Sequence, residues 1–257
     1  MNRREFLAVG VAGAAGVTST ASAMVRSDQG EREYFELRRY RTLNRAKTGL
    51  LGDSLRDVGI PAMNRIGIKP VGVFNVMYGP KQSVLYVLLV HRSLASVADA
   101  SARLLDDTEF RESDFANMPL AEPGYVRYES LLMVAFKGMP SLNVPERKAR
   151  IFELRTYESH SIQAAKKKIE MFNEGGEIAI FRKAGLQPVF FAETIIGPNL
   201  PNLMYMLVFD DMAQRDKQWE VFGSHPDWKK LRADPAYKDT VSDITDIILR
   251  PAAYSQI

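Results

Sequence analysis

Tyr34-Phe-Glu-Leu-Arg-Arg-Tyr40 returns 117 residues later as Ile151-Phe-Glu-Leu-Arg-Thr-Tyr157. The echo continues along the chain. Gly67-Ile-Lys-Pro70-Val matches Gly185-Leu-Gln-Pro188-Val, and Gly79-Pro80 matches Gly197-Pro198. Tyr86, central in one apolar run, answers to Tyr205 in another, and Phe110 answers to Trp228. Matches that hold nearly one spacing over this length mark a tandem duplication. Each half is about 100 residues, the size of a small domain.

The periodicity inside each half predicts the same elements in the same order. Residues 34–41 and 151–157 alternate and carry β-forming side chains, so each is a strand. Leu51, Leu55, Val58, Ala62 and Ile66 recur at helical spacing, and Ala165, Ile169 and Phe172 begin the equivalent stripe. Pro61 should kink the first helix, where the second half has Ala179, and Gly67 and Gly185 should end both. Strands follow at 70–78 and 83–91, a helix at 94–105 and a strand at 125–136. Their counterparts lie at 188–196, 203–210, 212–223 and 242–250.

The order βαββαβ, read twice, is the α+β, ferredoxin-like layout: an antiparallel sheet with helices on one face. The third strands are apolar on both faces, with Val84, Tyr86 and Leu88 opposite Leu85, Val87 and Leu89. A helix layer covers only one face. The two tandem repeats, 33–136 and 150–252 across a linker at 137–149, are therefore expected to pack sheet against sheet. The result is a barrel-type pseudo-dimer within one chain.

Composition narrows the chemistry. The 257 residues hold no cysteine, which excludes disulfides, a thiol nucleophile and thiolate metal sites. The 34 Lys and Arg against 31 Asp and Glu leave +3, too balanced for a nucleic-acid-binding surface. No phosphate-cradling glycine loop, nucleophile elbow or paired-histidine zinc motif occurs.

Residues 1–23 read as an address. Arg3-Arg4 precede Phe6-Leu7 and a weakly apolar stretch rich in Ala and Gly, and Ala21-Ser22-Ala23 offers a small-x-small cleavage site. The segment resembles a twin-arginine export signal, with Asn2 where Ser or Thr is usual. It is too short to anchor stably in a membrane. Cleavage would leave a flexible arm over 24–32 and deliver the protein to the periplasm or beyond.

The F-E-L-R-x-Y opening, the G-x-x-P-V segment, the Gly-Pro hairpin, the strand with a central tyrosine and the Pro226-Asp227-Trp228-Lys229 run together resemble the NIPSNAP family. The resemblance spans both repeats. It implies the dimeric α+β barrel superfamily, which includes cofactor-free monooxygenases and haem-linked enzymes, and it implies no defined reaction or catalytic set.

Candidate ligand-binding residues come from local pattern. Glu36, Arg38 and Tyr40 share one strand face, as do Glu153, Arg155 and Tyr157. They form either a charged-aromatic site inside the barrel or at its mouth, or a cross-strand ladder that fixes register. His160 stands before a helix as a base or haem ligand, or as a loop residue beside a capping serine. Glu193 lies in the apolar run Val189–Ile196 as a base, or as a carboxylate that points out of the sheet at an edge or pairs with Arg155. His225 reads as a helix start, His91 as a surface residue, and Lys166 to Lys168 as a solvated helix face.

Two functions follow: a module binding a small organic ligand or a protein partner without a cofactor, or a cofactor-free or haem-linked enzyme. Haem enters only with the second.

Overall fold

The computed structural model describes residues 32–79 and 83–257. The expected signal, all but the end of the arm, and Pro80 of the first Gly-Pro turn lie outside the described residues. The first repeat runs β1 (Tyr34–Arg41), α1 (Arg45–Ser54), a π-helical turn (Leu55–Gly59), α2 (Ile60–Arg65), β2 (Val71–Tyr78), β3 (Val84–His91), α3 (Leu94–Asp106), α4 (Thr108–Arg111) and β4 (Arg127–Ala135). The second runs β5 (Ile151–Glu158), α5 (Ile162–Asn173), α6 (Glu177–Lys183), β6 (Gln187–Ile196), β7 (Asn202–Phe209), α7 (Met212–Ser224), α8 (Pro226–Arg232), a 3₁₀ turn (Pro235–Tyr237) and β8 (Asp243–Pro251).

Local chemistry sets the helix ends. Asn44, Ser93, Ser161 and Asp211 accept backbone N–H groups at the starts of α1, α3, α5 and α7. Gly67 and Gly185, at φ of 85° and 83°, end α2 and α6 in the left-handed conformation expected of them. The first helix is interrupted one turn before Pro61. The π turn spends an extra residue there, and Pro61 falls in the first turn of α2, where a missing N–H costs little. In the second repeat the interruption is Gly175-Gly176 rather than at Ala179.

The eight strands close into one antiparallel barrel in the order β1-β3-β2-β8-β5-β7-β6-β4. Within each half the ferredoxin-like pairing holds, with Leu37 opposite Leu88 and Leu131, and Leu154 opposite Met206 and Ile247. The halves join edge to edge at two seams. At one, Phe74 faces Pro251 and Asn75 faces Arg250; at the other, Val134 faces Glu193 and Ala135 faces Ala192. Both seams carry a register shift. Closure leaves neither sheet with an open edge.

Inside the barrel lie Phe35, Leu37, Leu88, Met133, Phe152, Phe190, Met206 and Leu249, all fully buried. Leu142 of the linker and Ile257 at the C-terminus join this cluster. They sit at the end where β1 and β2 begin: Leu142 N–H donates to Glu33, and Gln256 N–H to the Val71 carbonyl. The other strand faces pack under the helices. Tyr40, Leu51, Leu55, Met63, Val87 and Leu104 lie in one layer, and Phe172, Phe181, Phe191, Tyr205 and Phe222 in the other.

A fragment of residues 33–137 would expose the interior face and both seam strands to water. It is expected to associate or aggregate in size-exclusion chromatography with light scattering, at concentrations where the full chain stays dispersed. A monomeric fragment that unfolds cooperatively would contradict the shared core.

Candidate functional site

Glu36, Arg38 and Tyr40 share a face, but that face lies under the helices and not inside the barrel. Phe35 and Leu37, the alternate set, take the interior, where a charge could not be hydrated. Nor do the charges form a cross-strand ladder. Arg38 Nε and Nη2 donate to Glu36 on the same strand at 2.7 and 3.0 Å. Ser130 Oγ donates to the same carboxylate at 2.6 Å. His91, expected at the surface, is 1% exposed, with Nδ1 3.0 Å from Ser96 Oγ and Nε2 3.5 Å from Glu36 Oε2. Burial works against ionising Glu36, yet the nearby His91, the hydrogen bonds and charge of Arg38 and the Ser130 hydroxyl outweigh it and hold the carboxyl at about 2. Tyr40 stacks on Tyr128 and meets Tyr125 edge-on, and Arg38 lies over the Tyr128 ring. Glu36 thus occupies the Arg38 fork that a bound anion would need.

The second layer repeats the plan with different partners. Glu153 is fully buried and accepts from Arg155 at 3.1 Å, Arg215 at 2.6 Å and Trp219 Nε1 at 2.7 Å. The Arg155 guanidinium lies 4.7 Å from the Trp219 ring centroid. Tyr157 and Tyr205 share a hydroxyl hydrogen bond of 2.9 Å. Burial, then the Tyr157 hydroxyl beside it, pushes the Tyr205 phenol well above its ordinary value. Lys168 corrects the reading of a solvated run. Lys166 is exposed and Lys167 half-buried, but Lys168 is 4% exposed, donates to Glu177 at 2.7 Å and lies over the Phe172 ring. An isolated buried ammonium would be costly, and Glu177 supplies its counter-charge.

The remaining candidates stand apart. His160 is exposed before Ser161, which caps α5. His225 caps α8, its Nδ1 accepting from Asp227 N–H at 3.2 Å. Glu193 pairs with Lys166 at 2.7 Å and not with Arg155. The six candidate residues therefore occupy four places and form no single site. Of the three histidines, His91 is enclosed by Glu36 and Ser96, His225 caps α8, and His160 lines neither groove described below. Among the described residues no group of three or more His, Asp or Glu is arranged to hold a metal ion.

Two grooves run beside the seams. The larger groove, of about 890 Å³, lies on the outer side of the β2–β8 seam. Met77, Ile151, Met212 and Pro251 give it apolar surface, and Arg147, Lys148, Arg150 and Arg250 give it charge. A second groove of about 520 Å³, beside the β4–β6 seam, is lined by Phe136, Ile169, Lys166 and Glu193 among others. The sequence places Arg147-Lys148-Ala149 at the end of the linker and Arg150 at the start of the second repeat. The basic density of this run was the one signal available.

Glu36 binds a proton less readily folded than unfolded. Its stabilisation is complete above about pH 4.5 and is lost as pH falls toward about 2. Glu36→Gln should cost about 3 kcal/mol at neutral pH and flatten that part of the acid limb. Urea titrations at pH 7 and pH 3 measure both. An unchanged acid limb would remove Glu36 from this role.

The NIPSNAP family model matches residues 35–135 and again 152–256. No curated protein matches the chain. Among solved structures, a provisionally assigned monooxygenase from Lactobacillus acidophilus NCFM superposes with a TM-score of 0.58 at 10% identity, over 86% of this chain and 94% of its own. A second provisionally assigned monooxygenase, from Fusobacterium nucleatum, gives 0.58 at 9% identity over 86% and 93%. These two show the shared barrel fold. An uncharacterised NIPSNAP-like domain protein from Burkholderia xenovorans is 21% identical over 42% of this chain and 89% of its own, with a TM-score of 0.38. With its family model matched once in each repeat, the chain belongs to the NIPSNAP family.

Proposed function

We propose that this NIPSNAP-family protein is an exported barrel that binds a small organic molecule in the β2–β8 seam groove and does not turn it over. The observation that carries this reading is where the space lies. The barrel interior is filled by side chains from all eight strands, and the charged clusters of both helix layers are occupied by their own partners. The β2–β8 seam offers about 890 Å³ with mixed apolar and polar lining, within the usual range for small-molecule sites. Export is supported by Arg3-Arg4 and the small-x-small triplet ending at Ala23.

The oxygenase alternative draws on what two structural neighbours are called, and at 9–10% identity no residue role transfers. Glu177, the buried acid nearest in charge to Tyr157 and Tyr205, is paired to Lys168 and lines neither groove. A protein partner remains as the other occupant of the seam.

Nile red, a neutral dye that brightens in apolar surroundings, tests the reading on the full-length chain. Saturable single-site binding is expected, and it should be lost in Ala213→Trp and Ala253→Trp, two exposed groove positions where a large ring fills the space. Absence of saturable binding, or binding indifferent to both substitutions, would contradict small-molecule binding here and favour a protein partner.

A further inference from the structure

The two seam grooves differ in how their charges are balanced. Around the β4–β6 groove, Arg32, Lys137 and Lys166 stand with Glu170, Glu174 and Glu193, and Lys166 is bonded to Glu193 at 2.7 Å. That groove neutralises itself. The β2–β8 groove does not. Its two carboxylates leave the arginines unmatched: Asp210 bonds the groove's own Lys148 at 2.6 Å and Gln214 at 3.1 Å, and Asp211 caps α7.

Three arginines are left over. Arg147 donates to the Ser255 carbonyl at 3.2 Å, and Arg150 donates to the Lys148 carbonyl at 2.9 Å. The buried Arg150 Nε has no partner. Arg250 is exposed at the seam. Among the described residues none of the three has a carboxylate partner. Burial and the neighbouring Arg147 charge both lower the Arg150 pKa from its ordinary value, as expected where positive charge gathers without a counter-ion. Guanidiniums match the oxygens of carboxylates, sulfonates and phosphates through paired N–H donors. Beside them Met77, Ile151 and Met212 present apolar surface.

We infer that the β2–β8 groove takes an organic anion. Arg147, Arg150 and Arg250 hold its oxyanion head, and its hydrocarbon body lies on Met77, Ile151 and Met212. The inference rests on the binding reading above and adds the chemical class of the ligand. The site draws on four separate stretches of chain, 77, 147–151, 210–213 and 250–255. Both repeats, the linker and the C-terminal segment contribute, so the site exists only in the closed barrel.

Displacement of Nile red from the full-length chain separates head from body. Decanoate and 1-decanol share one hydrocarbon chain and differ in charge. Decanoate should displace the dye at about tenfold lower concentration, the scale of one charge-assisted hydrogen bond. Arg250→Gln should reduce that advantage and the double substitution R147Q/R250Q should erase it, the decanoate-to-decanol ratio being taken on each variant separately. Raising the ionic strength should shrink it as well. Equal displacement by decanoate and decanol, or an advantage that survives R147Q/R250Q, would overturn the anion assignment while leaving a neutral-ligand site intact. Displacement by inorganic phosphate at decanoate's concentration would overturn the hydrocarbon half. Failure of the dye to bind at all would instead remove the binding reading itself.

Discussion

Burial of one sheet face against another is the constraint on which the rest of this structure depends. Each half builds a sheet whose strands are apolar on both sides, and its helices cover only one of them. The uncovered face would leave a large apolar patch in water. Two such sheets from one chain solve the problem together. Joining edge to edge at β2–β8 and β4–β6, they convert two bare faces into one interior and four free edges into two seams. The linker and C-terminus finish the job, with Leu142 and Ile257 joining the interior cluster.

That constraint also decides where charge can go. With the interior reserved for side chains such as Phe35, Leu37, Phe152 and Leu154, the alternating charged residues turn outward under the helices. There the motif glutamate of each repeat gathers donors: Glu36 from Arg38 and Ser130, Glu153 from Arg155, Arg215 and Trp219. The repeated F-E-L-R-x-Y motif is therefore a device of the fold, a buried carboxylate saturated by donors from its own layer. The halves differ beyond it. The second layer adds the Lys168–Glu177 pair and the Tyr157–Tyr205 hydrogen bond. Family membership follows from the repeated pattern, whereas ligand chemistry falls to the seams, where the two halves meet unlike surroundings.

The sequence made the duplication, the element order and the barrel legible, because period-two alternation and a fixed spacing between repeats survive without knowledge of contacts. It could not say which face was which. Glu36, Arg38 and Tyr40 clearly share a side, but the strand pattern alone left open whether that side met helices or the interior. Lys168 was misread because a run of three lysines looks uniformly polar, while helical geometry sends the third one inward to Glu177. His91, at the end of β3, was misread because its partners Ser96 and the distant Glu36 meet it only in the folded layer. The seam groove was out of reach altogether. Met77, Arg147, Met212 and Arg250 become neighbours only when the barrel closes.

Native-state hydrogen exchange tests most directly whether the two repeats are one barrel. Seam amides in 74–78 and 248–250, and in 132–135 and 192–196, should exchange only through the global unfolding that also releases the β1–β3 core. Their opening free energies should then equal those of residues 36–40. Seam amides that exchange through a lower-energy opening, while each repeat stays protected, would show two sheets that merely touch, and would contradict the shared interior.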